Sequence, residues 1–174
     1  GYAHQEAAGG LVKEIDDPAV TPSRRSFIRI RHAEHLTGAV DAYGQVIAVY
    51  DAREKDGLDP LEQDRLRDAS IGQADCAFEL GHHQEAIDLY EQIERRYRKE
   101  ATSLGALVRL VRIWDQLGNS QMADKAHRQA ELRLAQLPES AFNFPESSFD
   151  RESWRIWIER RPMRGMRVGV GVGE

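Results

Sequence analysis

The sequence predicts an all-α protein built as an array of helical hairpins, closed by a short capping helix and an irregular tail. Two observations carry this prediction. The segment Gly81-His82-His83-Gln84-Glu85-Ala86 is answered 37 positions later by Gly118-Asn119-Ser120-Gln121-Met122-Ala123. In each, a Gly closes one helix, polar or small residues follow, and an Ala opens the packed face of the next. That period falls in the range of helix-turn-helix repeats. Apolar residues also recur at three- and four-residue steps along most of the chain, the spacing of one helical face.

The elements follow in order. Residues 1–20 are mixed, with breakers at Gly9-Gly10 and Asp16-Asp17-Pro18, and allow a short helix over Leu11–Ile15. From Pro22 onward Phe27, Ile30, Ala33, Leu36, Val40, Tyr43, Ile47 and Tyr50 form an apolar stripe. One long helix over about 23–54 accounts for it, or two helices meeting near Thr37-Gly38. The likeness of 39–47 to the second helices of the later repeats favours two. Asp59-Pro60 is a start signal, an N-cap followed by proline at the first helical position. The next helix spans about 60–80, with Leu61, Leu66, Ala69, Gln73, Ala77 and Leu80 near one face, and Gly81 ends it. Further helices are predicted over about 84–99, 101–117 and 120–136, and Pro138 closes the array. Phe142-Asn143-Phe144-Pro145 reads as extended, Asp150 as the cap of a short helix over 151–161, and residues 165–174 as a low-complexity Gly/Val tail. The organisation is thus an N-terminal segment 1–21, a helical array 22–137 and a C-terminal segment 138–174.

Bulk properties bound the function. With 174 residues and 41% hydrophobic content, the chain can bury one core. A net charge of −5 argues against general nucleic-acid binding, although arginines gather at 24–31 and 160–167. Arg carries nearly all the positive charge, which reads as base composition first and anion recognition second. The single Cys76 excludes an intrachain disulfide and a multi-cysteine zinc site. It leaves the compartment open between cytoplasm and periplasm. No apolar run reaches the roughly 18–20 residues of a membrane span. The chain opens Gly1-Tyr2 and reads as a processed or excised piece of a longer protein.

Residues 67–137 resemble the tetratricopeptide repeat family. The first clear copy offers Ala74, Gly81, Ala86, Tyr90 and Ile93. The second offers Val111, Trp114, Gly118, Ala123, His127 and Ala130, with Pro138 following. A third, degenerate copy lies at about 23–54 through Ala39, Tyr43 and Val46. Val111 and Ile93 are larger than the family pattern expects, His127 replaces an aromatic hydrophobe, and the spacing exceeds 34. The resemblance implies a right-handed solenoid whose first helices line a concave face that binds another protein or a peptide. By position that face would present Asp75, Phe78 and Glu79, then Val108, Arg109, Arg112 and Asp115. Ile71 and Asp75 stand where the family's carboxylate clamp would need its Lys and Asn, so that ligand is not expected.

Other motifs bear on chemistry. His32 and His35, beside Glu34, are spaced to offer two metal ligands, but no third in register follows, and they read as surface histidines. His82-His83 fall in a turn. Cys76, between Ala74 and Ala77, reads as a buried structural thiol. Gly169–Gly173 lacks the Lys and following helix of a phosphate loop. It reads as a flexible tail, or as a strand to be added to a partner's sheet. Trp154, Trp157 and Ile158 read as a cap over the last repeat. The second reading makes Trp154 and Trp157, with Arg161, an interface to another subunit or a membrane surface. No catalytic residue, cofactor or metal is expected. The reading is a protein-interaction module of adaptor or scaffold type. Its alternative is a structural or assembly subunit of a large complex or of the bacterial cell envelope, docked through the aromatic helix and tail.

Overall fold

The computed structural model describes residues 1–142 and 150–160. Those residues are all-α, with seven α-helices, two 3-10 turns and no strand. They fall into two compact units, Gly1–Arg96 and Tyr97–Glu174.

In the first unit α1 (Tyr2–Ile15) packs on α2 (Pro22–Arg53), α2 on α3 (Pro60–Glu79), and α3 on α4 (His83–Arg96). Helix α1 is longer than the expected turn at 11–15. Its two glycines, Gly9 and Gly10, face open space and do not end it, though each costs about 1 kcal/mol against Ala. Docking offsets that cost. Ala8 is fully buried, Tyr43 Oη donates to Gln5 at 2.7 Å, and Arg24 pairs with Glu14 at 2.8 Å. Arg25 closes the α1–α2 loop by donating to the carbonyls of Ile15, Asp17 and Val20 at 3.1–3.2 Å. Part of the basic run at 24–31 is therefore structural.

Helix α2 is a single element of 32 residues, which overturns the two-helix expectation at Thr37-Gly38. A helical pair is consequently absent from 23–54. Gly38 and Gly44 are not breaks but points of close approach. A Cβ at 38 would stand 3.0 Å from the His4 ring, and one at 44 would stand 3.1 Å from Gln73 Nε2. The apolar stripe also needs correction in its first turns, where Ile28 is buried while Phe27 and Ile30 are exposed. The helix starts at Pro22, where the apolar stripe was expected to begin, and the Thr21 hydroxyl caps it by accepting from Arg24 N–H.

Asp59 and Glu62 form a full capping box at the start of α3, with arms of 2.8 and 3.1 Å. The core combines Ala8, Leu36, Ala39, Tyr43, Ala69 and Cys76, with Val40, Ile47 and Leu80 against it. On α3, Leu66, Ala69 and Ala77 are buried as expected, but Leu61 is exposed. Arg96 ties α4 to the end of α2 through Asp51 at 2.7 Å and Glu54 at 3.0 Å.

In the second unit α5 (Thr102–Gln116) packs on α6 (Ser120–Gln136), which carries α7 (Arg151–Glu159). Helix α5 is buried over most of its circumference, through Ser103–Leu107, Leu110, Val111 and Ile113. Helix α6 contributes Ala123, Ala126 and Ala130, and the Asn119 side chain caps it. Arg133, also buried, donates to the Arg98 carbonyl at 2.6 Å. A 3-10 turn covers Glu139–Phe142. Of the segment expected to be extended only Phe142 is described, and it lies in that turn; residues 143–145 and the Gly/Val tail lie outside the described residues.

The two hairpin turns are built alike. Gly81 has φ +80° and Gly118 φ +71°, the left-handed conformation glycine adopts without steric cost. Gly81 N–H donates to Phe78 and His82 N–H to Ala77; Gly118 N–H donates to Asp115 and Asn119 N–H to Trp114. Each pair is a Schellman motif, satisfying carbonyls the ending helix would leave bare. The two alanines that follow, Ala86 and Ala123, are both fully buried. The sequence repeat is thus a structural repeat in its turn and in the first packed residue after it.

Candidate functional site

The residues expected on one concave face are distributed over both units, and each set is described within its own. In the first unit Asp75, Phe78 and Glu79 occupy the last two turns of α3. Asp75 is half-buried and accepts a hydrogen bond from Tyr90 Oη, which binds its carboxylate across the α3–α4 hairpin. Phe78 is half-buried with its ring tilted 50° against His83, centroids 5.8 Å apart. Glu79 is exposed, and its Oε2 lies 4.0 Å from His32 Nε2. Two of the three carry structural contacts, and Glu79 extends furthest into solvent.

In the second unit Arg109 is half-buried and its Nη1 donates to Gly105 O, one turn earlier on α5. Arg112 is exposed, while Asp115 is half-buried on the turn that leads into Gly118. In the 37-residue repeat Arg112 stands where the first copy has Asp75, and Asp115 where it has Phe78. Corresponding positions of the two hairpins thus carry opposite or unrelated chemistry, so a shared backbone plan presents different surfaces.

Helix α7 caps the α5–α6 hairpin. Asp150 accepts from Ser153 N–H at 2.8 Å and starts the helix. Arg151 donates to Leu134 O at 3.0 Å and to Leu137 O, pairs with Glu139, and lies 4.8 Å over the Phe142 ring. It supplies a cation and donors to the carbonyl end of α6, where both are stabilising. Trp154 is half-buried, its ring reaching the space a side chain at Gly105 would enter, with 3.9 Å to the built Cβ. Ile158 is buried. His127 Nε2 donates to Ile158 O at 2.9 Å. On the outer side Arg155 pairs with Glu152 and Glu159, and Trp157 is 37% exposed. Arg161 lies outside the described residues.

Several contributors were not legible in the sequence. His127 looked like a weak substitute for a family aromatic. It takes the place of Tyr90, but it bonds forward to α7 instead of back to its own hairpin partner. Arg151 read as one of several arginines flanking the tryptophans, whereas it is the anchor of the cap. His35 was paired by spacing with His32; the structure pairs it with His4, their Nδ1 atoms 3.4 Å apart.

Cys76 is fully buried, as expected. Burial pushes its thiol up to about 11, and the charges of Glu79 and Asp75 push the same way. Burial likewise raises the Tyr43 hydroxyl, with the nearby acidic groups adding to it. Among the described residues no group of three or more His, Cys, Asp or Glu gathers as a metal-ion site, and no helix is long and apolar enough to cross a membrane.

The fold and these surfaces define an all-α protein of two units, each with its helices packed consecutively, and with a repeated hairpin turn. Comparison with protein-family models, curated proteins and solved structures finds no significant match.

Proposed function

We propose that the protein is an interaction module, an adaptor or scaffold of the kind tetratricopeptide repeats exemplify, that docks a segment of another protein on its helical hairpins. The observation that carries this reading is the repeated hairpin turn. Two hairpins share the Schellman glycine and the buried alanine after it, yet differ at corresponding positions of the helix before the turn, Asp75 against Arg112 and Phe78 against Asp115. A conserved frame with varied outward chemistry is how repeat proteins build extended recognition surfaces. Glu79 and Arg112 are the charged members exposed to solvent, so they are assigned to partner contact. Asp75 and Arg109, held within their own units, are assigned to positioning. Co-purification of the chain with its partners, compared with a Glu79→Arg, Arg112→Glu variant of equal Tm, tests this. Loss of a specific partner in the variant supports the reading, and unchanged recovery refutes it.

One observation favours a second reading, an assembly subunit docked through α7. Trp157 is exposed on a helix whose opposite side is already committed to its own unit. Aromatic residues so placed are frequent interface anchors. Trp157→Ala would then release the chain from its complex while leaving α7 docked.

A further inference from the structure

Helix α7 is seated on the α5–α6 hairpin by one face, and that face has the register of a helical ligand. Arg151, Trp154 and Ile158 stand at i, i+3 and i+7, the spacing by which an amphipathic helix is read when it lies in a groove. Each anchor meets a separate part of the hairpin. Arg151 holds the carbonyls of Leu134 and Leu137 at the end of α6. The Trp154 indole stands over Gly105 of α5, 3.9 Å from where a Cβ would lie, and Arg109 Nη1 is 3.5 Å from the same point. The indole thus sits beside the arginine that the repeat pattern assigns to the docking face. Ile158 is buried, and His127 Nε2 bonds its carbonyl at 2.9 Å. Glu152, Arg155, Trp157 and Glu159, by contrast, are exposed. With 9 residues α7 is too short to be a stable helix alone in water, so it owes its order to this seat.

We propose that α7 is a displaceable plug. It fills, from within the chain, a seat on the α5–α6 hairpin that accepts an amphipathic partner helix with Arg, Trp and an aliphatic residue at i, i+3 and i+7. The proposal rests on the reading of the hairpins as docking elements, and it names the class of segment that the second hairpin takes. A tethered helix competes at a high effective concentration, so a free helix of the same register binds weakly until α7 is loosened. Removing either the Arg151 or the Trp154 anchor loosens it.

The test is fluorescence anisotropy with a labelled peptide of residues 150–160, blocked at both ends, titrated with the full-length parent, Trp154→Ala and Arg151→Ala chains. Both variant chains are expected to bind the peptide roughly tenfold or more tightly than the parent does, because their own α7 competes less. A peptide that itself carries Trp154→Ala is expected to bind none of the three. Equal binding to parent and variants overturns the proposal. So does absence of binding to the variants, or undiminished binding of the altered peptide. Should Arg151→Ala unfold the hairpin, as judged by amide exchange of α5 and α6, Trp154→Ala decides alone, since Trp154 is only half-buried. No native partner enters this assay, so its failure leaves the co-purification test of Glu79 and Arg112 standing, and the converse holds.

Discussion

The ring of Tyr43 occupies the volume that a side chain at position 72 would need. A Cβ built on Gly72 would stand 2.5 Å from Tyr43 Cζ, well inside any tolerable contact. The ring is held there by burial and by its hydroxyl bond to Gln5 on α1. One glycine on α3 therefore lets α2 present a tyrosine that reaches α1. Gly72→Ala is expected to destabilise the chain by about 1–3 kcal/mol through overpacking, despite the better helix propensity of Ala. Gly44→Ala should do the reverse. Its nearest neighbour is the end of a flexible Gln73 side chain, so the propensity gain of about 0.5–1 kcal/mol survives. Denaturant unfolding of both variants checks the contrast in sign.

The two Schellman glycines should respond in parallel. Gly81→Ala and Gly118→Ala each force an L-residue to positive φ, costing about 1–2 kcal/mol. Asn at either position should cost less, because it tolerates that conformation. Chemical denaturation of the four variants measures this, and unequal losses at the two sites would show that the turns are not energetically equivalent.

How much of this was legible in the sequence depends on how local the determining physics is. Caps and turns were legible because they are fixed by a few adjacent residues: Asp59-Pro60, Asp150, Gly81 and Gly118 all act where they were expected. The continuity of α2 was not, because Gly38 makes room for the His4 ring of a helix distant in sequence. Glycine reads as a breaker until the neighbour that needs its space is known. The length of α1 was missed for the same reason, its stability coming from Tyr43 and Arg25. Of the candidate site, Glu79 and Arg112 are exposed, while the Tyr90–Asp75 and His127–Ile158 bonds are long-range pairings that spacing does not encode.

Cys76 should be nearly inert in the folded chain. A thiol pushed from 9.0 to about 11 carries roughly a hundredfold less thiolate at neutral pH, and full burial slows attack further. Labelling should appear only on unfolding. The linkage has a definite sign. The unfolded thiol ionises first, so stability is retained below about pH 9 and falls as pH rises toward 11. Cys76→Ala should flatten that part of the stability–pH curve, which urea titrations at stepped pH can measure.

Docking of α7 should weaken in acid. Hydrogen bonds from the Ser153 side chain and backbone N–H hold the Asp150 carboxyl below its ordinary range. A depressed carboxyl contributes stability above its unfolded pKa and loses it as pH falls through the folded one. Amide exchange of residues 151–159 should therefore accelerate selectively at low pH, and Asp150→Asn should remove much of that dependence. Arg151→Ala should release α7 at any pH, since it strips the cation and donors from the Leu134 and Leu137 carbonyls.

The central claim is that each hairpin offers its own contact to another protein, Glu79 on the first and Arg112 on the second. The measurement that tests it most directly is quantitative co-purification from the native source, parent against Glu79→Arg, Arg112→Glu, with mass spectrometry of the retained proteins and Tm measured for both chains. The account predicts that one or a few partners fall at least tenfold in the variant while its Tm is unchanged. Identical retained proteins at equal stability would contradict it.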